Sequence, residues 1–406
     1  MTREEYRQRK RQQERERRRK EREAWEAARG PLDLPFLLLA LLLLGIGLIM
    51  LLSASFPSAQ ASKGTNYDPL YYFKRQGIFA GLGLFAMFWV SKINYERFRG
   101  LAKLGIIVSV VLLVLVLIPG VGITRNNATR WLGVPGIDSG QFQPSEVAKV
   151  GVIVFFAEFI SKKREKMSTL KEGLLPLGLL LVFVAALIGL EPHLSGAILV
   201  LGIGAAMMMV GGIHWGWIAA GVTGLCTGWY VLANTDIVES VLKYNVSRLI
   251  TWKDPWWDIQ DKSFQTAQSL ITIGSGGLLG LGLGKGRQKF MFLPEEHNDY
   301  IFAVVFEELG LVGGTLIMVL FSLLIIRGFW LAIHARDRFG SLLAVGVTTQ
   351  IALQTFLNIA VVTNFIPATG ISLPFFSYGG TALAIQLAEV GIVLSVSRQI
   401  PAPKAG

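Results

Sequence analysis

The stretch PEEHNDYIFAVVFEELGLVGGTLIMVLFSLLII, residues 294–326, decides the fold. From Ile301 to Ile326 the only charged side chains are Glu307 and Glu308. An apolar run of more than ~20 residues is long enough to cross the hydrocarbon core of a bilayer as a helix. Just before it, Glu295, Glu296, His297 and Asp299 crowd into five positions. Such a cluster at the edge of a hydrophobic helix reads either as a solvated helix start or as a catalytic site at a membrane surface.

The rest of the 406-residue chain repeats the apolar pattern. Hydrophobic residues make up 52% and charged ones only 17%, and the mean hydropathy is +0.50, far above that of a soluble domain. The reading is an all-α polytopic membrane protein with about ten transmembrane helices. The predicted spans are 34–54, 77–91, 104–119, 146–160, 174–190, 194–212, 214–234, 301–326, 341–364 and 379–397. Basic clusters at 92–103, 162–171 and 327–338 alternate with loops that lack Lys and Arg, such as 364–378. The positive-inside rule puts the basic loops and both termini in the cytoplasm. This divides the chain into a charged cytoplasmic tail (1–33), a transmembrane domain (34–398) and a short cytoplasmic end (399–406). A large extracytoplasmic loop, 235–300, joins spans seven and eight. Loops this long are usually functional. Trp252, Trp256 and Trp257 suit the headgroup level, and residues 263–273 suit a surface helix.

Charge and cysteine content exclude several classes. Residues 1–30 hold twelve Lys/Arg against seven Glu, which is about half of the +11 net charge. The basic balance is therefore a tail property, and no nucleic-acid partner is expected. The tail reads as a solvated extension or as a binder of anionic lipid or a partner. The single cysteine, Cys226, can form no intramolecular disulfide. HExxH and paired Cys/His spacings are absent, so no tightly bound metal or other cofactor is expected. A labile divalent cation, Mg2+ or Mn2+, bridging carboxylates and a substrate phosphate stays open, with its ligands unknown.

Four further motifs stand out, three of them charged. The glycine stretch GSGGLLGLGLGKG, 274–286, fails as a Walker A loop because Gly286 follows Gly284-Lys285 where Ser or Thr is required. Its amides, with Lys285, Arg287 and Lys289, could face an anionic substrate, or the basic stripe could meet headgroups. In QPSEVAK, 143–149, Ser145 reads as an N-cap and Glu146 and Lys149 share a helix face. They form either a structural pair or a charged pocket. Glu307 and Glu308 are intramembrane carboxylates, hence site candidates unless they pair with a buried cation. PATGISLPFFSYGG, 367–380, breaks helices and shapes a cavity wall, with Ser377 a candidate substrate contact.

Taken together and in order, these motifs resemble one family. KRQ (74–76), RWLG (130–133), QPSEVAK (143–149), WKDPWWD (252–258), RQKFMFLPEEHNDYIFAVVFEELG (287–310) and PATGISLPFFSYGG (367–380) resemble the SEDS proteins of FtsW/RodA/SpoVE type, leaning to the FtsW/SpoVE branch. The resemblance runs from about residue 35 to 398. It implies a bacterial cytoplasmic-membrane peptidoglycan glycosyltransferase that polymerises lipid II for septal or shape-related wall synthesis. Implied partners are a class B penicillin-binding protein and other division or elongation proteins. It implies Asp299 as general base, with Arg75, Arg130, Glu146 and Lys149 lining an outward cavity. A lipid II flippase or a non-catalytic divisome scaffold are the alternatives. One departure stands out: EPHLSGA (191–197) has His193 where the family often has an acidic residue, with Glu191 two positions earlier.

Overall fold

A computed structural model describes residues 30–125, 128–133, 141–191, 193–214 and 247–400, with isolated positions elsewhere. Most of the charged tail, most of the predicted seventh span with Cys226, the first part of the long loop and residues 401–406 lie outside the described residues. The described helices are α1 (Leu34–Ala61), α2 (Tyr71–Lys92), α3 (Glu96–Leu117), α4 (Pro144–Lys162), α5 (Leu175–Leu190), α6 (Leu194–Val210), α7 (Phe264–Ser275), α8 (Ile301–Ile333), α9 (Arg338–Val362) and α10 (Gly380–Ser397). Nine of the ten predicted spans fall on them, and α7 is the helix expected inside the long loop. It packs against α8 and α9, and Ser269 Oγ donates to Val362 O at 2.8 Å.

Among the described residues, six helices are long and apolar enough to cross a membrane: α1, α3, α5 with its leading turn, α8, α9 and α10. Helix α4 is not among them because Glu146, Lys149 and Glu158 interrupt it. The surface pattern is the inverse of a soluble protein. Leu38, Leu42 and Ile49 of α1 and Leu316, Val319 and Leu323 of α8 are exposed, whereas Lys149, Glu307, Glu308, Gln350 and Glu389 are buried. Polar groups turned inward and apolar groups turned outward identify a multi-pass membrane bundle.

Local chemistry sets the helix starts. Asp33 caps α1 by accepting from Phe36 N at 2.9 Å, and Asp337 caps α9 by accepting from Gly340 N at 3.0 Å. At α4 the expected Ser145 cap is replaced. The cap position is Gln143 and Pro144 takes the first helical position, where its fixed φ suits a helix and its missing N–H costs nothing. The loop between α3 and α4 holds a feature no pattern announced. Strands β1 (Ile123–Arg125) and β2 (Ala128–Trp131) pair antiparallel, and Leu132 bridges to Phe142.

Helix α8 is two helices. Gly310 sits at φ 70° and ψ −174°, which breaks the spiral, so 301–309 is a short buried segment and 311–333 is the membrane-length one. Helix α1 runs antiparallel to it and is locked at both ends. At one end Arg327 Nη2 meets Asp33 Oδ2 at 2.5 Å. At the other, Ser53 Oγ and Lys289 Nζ meet Glu308 Oε1, each at 2.7 Å. The locks lie twenty residues apart on α1 (33 to 53) and nineteen on α8 (308 to 327). At ~1.5 Å per residue that is about 30 Å, the thickness of a bilayer's hydrocarbon core. Glu307 and Glu308 therefore stand about one such thickness along α8 from the Asp33–Arg327 lock, and Asp299 lies further out along the same chain.

Candidate active site

Asp299 ends the long loop one residue before the cap of α8. Its backbone is pinned and its carboxylate is not. Asn358 Nδ2, on α9, donates to Asp299 O at 2.7 Å and to Ile371 O at 2.6 Å. No hydrogen bond reaches the carboxylate among the described residues. Gly370 closes one side. It sits at φ +74°, a conformation that favours glycine, and a Cβ there would stand 3.2 Å from Asp299 Oδ2, so the oxygen would have to give way by a few tenths of an ångström. Burial pushes the Asp299 carboxyl up to about 6, Glu295 adds to the rise, and Arg130, Arg248 and His297 oppose it.

The breaker segment 366–380 forms the wall around this point. Ser377 Oγ donates to Asn298 O at 2.7 Å and accepts from Leu373 N at 2.8 Å. Tyr378 N donates to His297 O at 2.8 Å. Gln76 of α2 brackets the same segment, donating to Ser377 O and accepting from Gly379 N, both at 3.1 Å. His297 packs against Tyr72 with ring centroids 4.4 Å apart and the planes tilted by 33°. Its neighbour Glu296 reaches it at 3.3 Å, and Asn298 Nδ2 donates to Glu295 Oε2 at 2.5 Å. Arg75 lies on the same helix as Tyr72, half-buried, donating to Tyr71 Oη at 2.5 Å.

Across from Asp299 stands the β hairpin with Arg130, whose Nε donates to Glu191 O at 3.3 Å. Behind it, Glu146 and Lys149 pair at 2.8 Å, and Lys149 is 2% exposed. His193 Nδ1 lies 3.2 Å from Gln143 Nε2 and 3.5 Å from Ser145 Oγ. Burial pushes its imidazole down to about 3, and the charges of Arg130 and Lys149 push the same way. His193 is thus a neutral ring packed on the start of α4.

Comparison with known proteins matches this architecture to one family. The sequence model described as cell cycle protein, FtsW/RodA/SpoVE, matches residues 34–401. The chain belongs to the FtsW/RodA/SpoVE family. It is 43% identical over 371 residues to stage V sporulation protein E of Bacillus subtilis (strain 168), covering 90% of this chain and 97% of that one. It is 40% identical over 370 residues to the probable peptidoglycan glycosyltransferase FtsW of Geobacter sulfurreducens (strain DL-1 / KN400), covering 91% and 95%. Among solved structures, one described as structural coordination of polymerization and crosslinking by a peptidoglycan synthase complex aligns with TM-score 0.73 at 28% identity, over 91% of this chain and 98% of that one. The rod shape determining protein RodA of Thermus thermophilus aligns with TM-score 0.65 at 28% identity, over 92% and 99%.

Within this FtsW/RodA/SpoVE fold the predicted site residues separate into two groups. Asp299 and Arg130 come together electrostatically, Glu146 and Lys149 back that pair, and Arg75 stands near the Tyr72–His297 contact. Ser377 holds the wall beside Asp299 through Asn298 O, whereas Glu307, Lys285 and Arg287 gather at the break in α8. Glu307 is fully buried and accepts from Arg287 N at 2.7 Å and Gln288 N at 3.1 Å. Glu308 accepts from Gly284 N at 3.0 Å, and Lys289 Nζ donates to Gly284 O at 2.9 Å. The glycine stretch is therefore wrapped on the break in α8, and its amides at 284, 287 and 288 are occupied by the protein's own carboxylates. Gly280 and Gly310 permit the close approach: a Cβ on Gly310 would lie 2.3 Å from Gly280 N. Lys285 and Arg287 are left exposed on that loop. Ser377 is a wall hydrogen-bonder rather than a free hydroxyl, since its oxygen both donates and accepts within the protein.

Arg248 is the site residue that sequence reasoning missed in this family member. It acts on Asp299 and is held there because its segment is clamped to the wall at three points. Arg248 Nη1 donates to Ala368 O at 2.8 Å, Trp252 Nε1 to Phe365 O at 3.2 Å, and Asn364 Nδ2 to Trp252 O at 3.1 Å. Trp252 is thus a clamp, while Trp256 and Trp257 stay exposed as expected. Nothing in KYNVSRLITW marks Arg248, because its partners lie more than a hundred residues away. Among the described residues no three His, Cys, Asp or Glu side chains converge on a metal-sized site.

Proposed function

We propose that this protein is a peptidoglycan glycosyltransferase of the FtsW/SpoVE branch that polymerises lipid II at the outer face of the bacterial cytoplasmic membrane, with Asp299 as general base. The observation that carries the reading is the Asp299 carboxylate: backbone-anchored, free of hydrogen bonds among the described residues, and flanked by Arg130 and Arg248. The naming of relatives as peptidoglycan glycosyltransferases supports the reaction class, and the fold neighbour from a peptidoglycan synthase complex supports a penicillin-binding protein as partner. The positive-inside pattern supports cytoplasmic termini.

The chemistry follows from the groups present. Asp299 takes the proton of the acceptor sugar hydroxyl as that oxygen attacks the anomeric carbon of the donor. The new glycosidic C–O bond forms, the bond from that carbon to the diphosphate oxygen breaks, and the carbon inverts. A diphosphate leaves as an anion and needs charge neutralisation rather than a general acid, so one carboxylate suffices where cleavage of a sugar–sugar bond uses two. Arg130 and Arg248 supply that neutralisation. A base with a carboxyl at about 6 is ionised at neutral pH yet still basic enough to accept a proton. The test is polymerisation of lipid II by purified protein. Wild type should make glycan strands and Asp299→Asn should not, at equal thermal stability. Strand synthesis by the variant at the wild-type rate sinks the assignment. Lipid translocation without polymerisation by the wild type would replace the reading with a flippase. Adding Mg2+ or Mn2+ tests the labile cation.

A further inference from the structure

Deep in the bundle lies a carboxyl that the reaction just described does not use. Glu389 stands halfway along α10 and meets Gln350, halfway along α9. Gln350 Nε2 donates to Glu389 Oε2 at 2.7 Å, and both residues are 1% exposed. Each keeps one oxygen without a hydrogen-bond partner, Glu389 Oε1 and Gln350 Oε1. Both helices are long and apolar enough to cross a membrane, so the contact sits at the depth where an ionised carboxylate is costliest. The charges that reach Glu389 are Lys149 and Glu146, both on α4. They are opposite in sign and already paired with each other at 2.8 Å.

The leftover atoms are chemically specific. An amide oxygen and an ionised carboxylate oxygen are both acceptors, and two acceptors cannot satisfy each other. A carboxyl that keeps its proton gains one O–H donor. A hydrogen on Glu389 Oε1 therefore removes the buried charge and gives Gln350 Oε1 a donor in the same step. We propose that Glu389 is an intramembrane proton-binding site: as the neutral acid it closes a double hydrogen bond with Gln350, N–H to carboxyl oxygen and O–H to amide oxygen, and so ties α9 to α10. The tie bears on the active site because the wall around Asp299, segment 366–380, is the connection between these two helices. One turn nearer the wall, Gln386 Nε2 donates to Gln354 Oε1 at 3.4 Å. Gln386 Oε1 in turn accepts from Phe375 N, in the wall itself, at 3.1 Å. Glu389 is the inner rung of this polar ladder, and is a positioning residue rather than a catalytic one.

The experiment is infrared difference spectroscopy on the full-length detergent-purified protein at pH 7, with Tm measured on the same samples. Wild type minus Glu389→Gln should show the loss of one protonated-carboxyl carbonyl band, and that band should shift in D2O. Glu389→Gln should keep the wild-type Tm, because an amide replaces a neutral acid with no change of charge. Gln350→Leu removes the acceptor of the acid O–H, so the band should move to the frequency of an acid without that hydrogen bond. Loss of a carboxylate band in place of the acid band overturns the proposal and makes Glu389 a second counter-ion of Lys149. A Glu389→Gln protein that melts well below wild type, or does not fold, also overturns it, since that is the cost of removing a buried charge from its partner. A band that stays in place in Gln350→Leu overturns the pairing. If Gln350→Leu does not fold, Gln350→Asn, one methylene shorter, takes its place with the same expected shift and the same overturning result. No readout uses turnover, so failure of lipid II polymerisation removes the functional reading and leaves this inference standing.

Discussion

Two sets of carboxylates lie nine residues apart on one stretch of chain, and they are opposites. Glu307 and Glu308 look like the functional ones by position, because acidic groups within a hydrophobic helix are rare and usually functional. They are instead tied down: three backbone amides, Ser53 and Lys289 fill three of their four oxygens, and only Glu307 Oε2 lacks a donor. Asp299 looks like one of several polar residues at a helix start. It is the one with a fixed backbone and an uncommitted carboxylate. Burial alone does not separate the two sets; what differs is how many donors the fold delivers to each carboxylate.

The largest effect should come from the open side of this contrast. Asp299→Asn should lower polymerisation by about 10²–10⁴-fold, the usual worth of a positioned general base, with the melting temperature unchanged. A similar loss of turnover per folded molecule in Glu308→Gln would dissolve the distinction. Next comes the closed side. Lys289→Met leaves Glu308 buried without its cation and should cost about 3–5 kcal/mol of stability, read as a lowered Tm. Adding Glu308→Leu should recover most of that loss, because a buried pair replaced by apolar groups is often neutral. A Lys289→Met protein as stable as wild type would mean the lock is ornamental.

Smaller effects sharpen the electrostatics of the open side. The base must be ionised, so activity should fall as pH drops through about 6. Arg248 lowers the Asp299 carboxyl, so Arg248→Gln should move that acid limb to higher pH. Glu295 raises it, so Glu295→Gln should move the limb to lower pH. Rate profiles of kcat/KM against pH check both, and shifts of the same sign would break the account of the site.

Much of the architecture was legible before the structure. Hydropathy located nine of the ten predicted spans on described helices, and the charge cluster at 295–299 directly precedes α8 as the sequence reading has it. The misses have a common cause. The break at Gly310 hides inside an apolar run, because hydropathy registers composition and not φ. Ser377 and Glu307 are residue types that suit a site, but their hydrogen bonds are spent on the backbone of other segments. Arg248 sits in a stretch with no motif, and only its clamps at Ala368 and Phe365 bring it to Asp299.

By itself the sequence determined that the chain crosses a membrane, roughly where it crosses, and which ionisable groups gather at the start of one helix. Those properties depend on local composition, and transfer from water to hydrocarbon is set residue by residue. Only the tertiary structure decided which carboxylate is free. That depends on where donors end up, and the donors come from far away: Ser53 to Glu308 spans 255 positions, and Asn358 to Asp299 spans 59. A hydrogen bond is directional and effective only within about 3 Å. The same acidic side chain is therefore a structural tie or a catalytic base according to which distant partner the fold delivers.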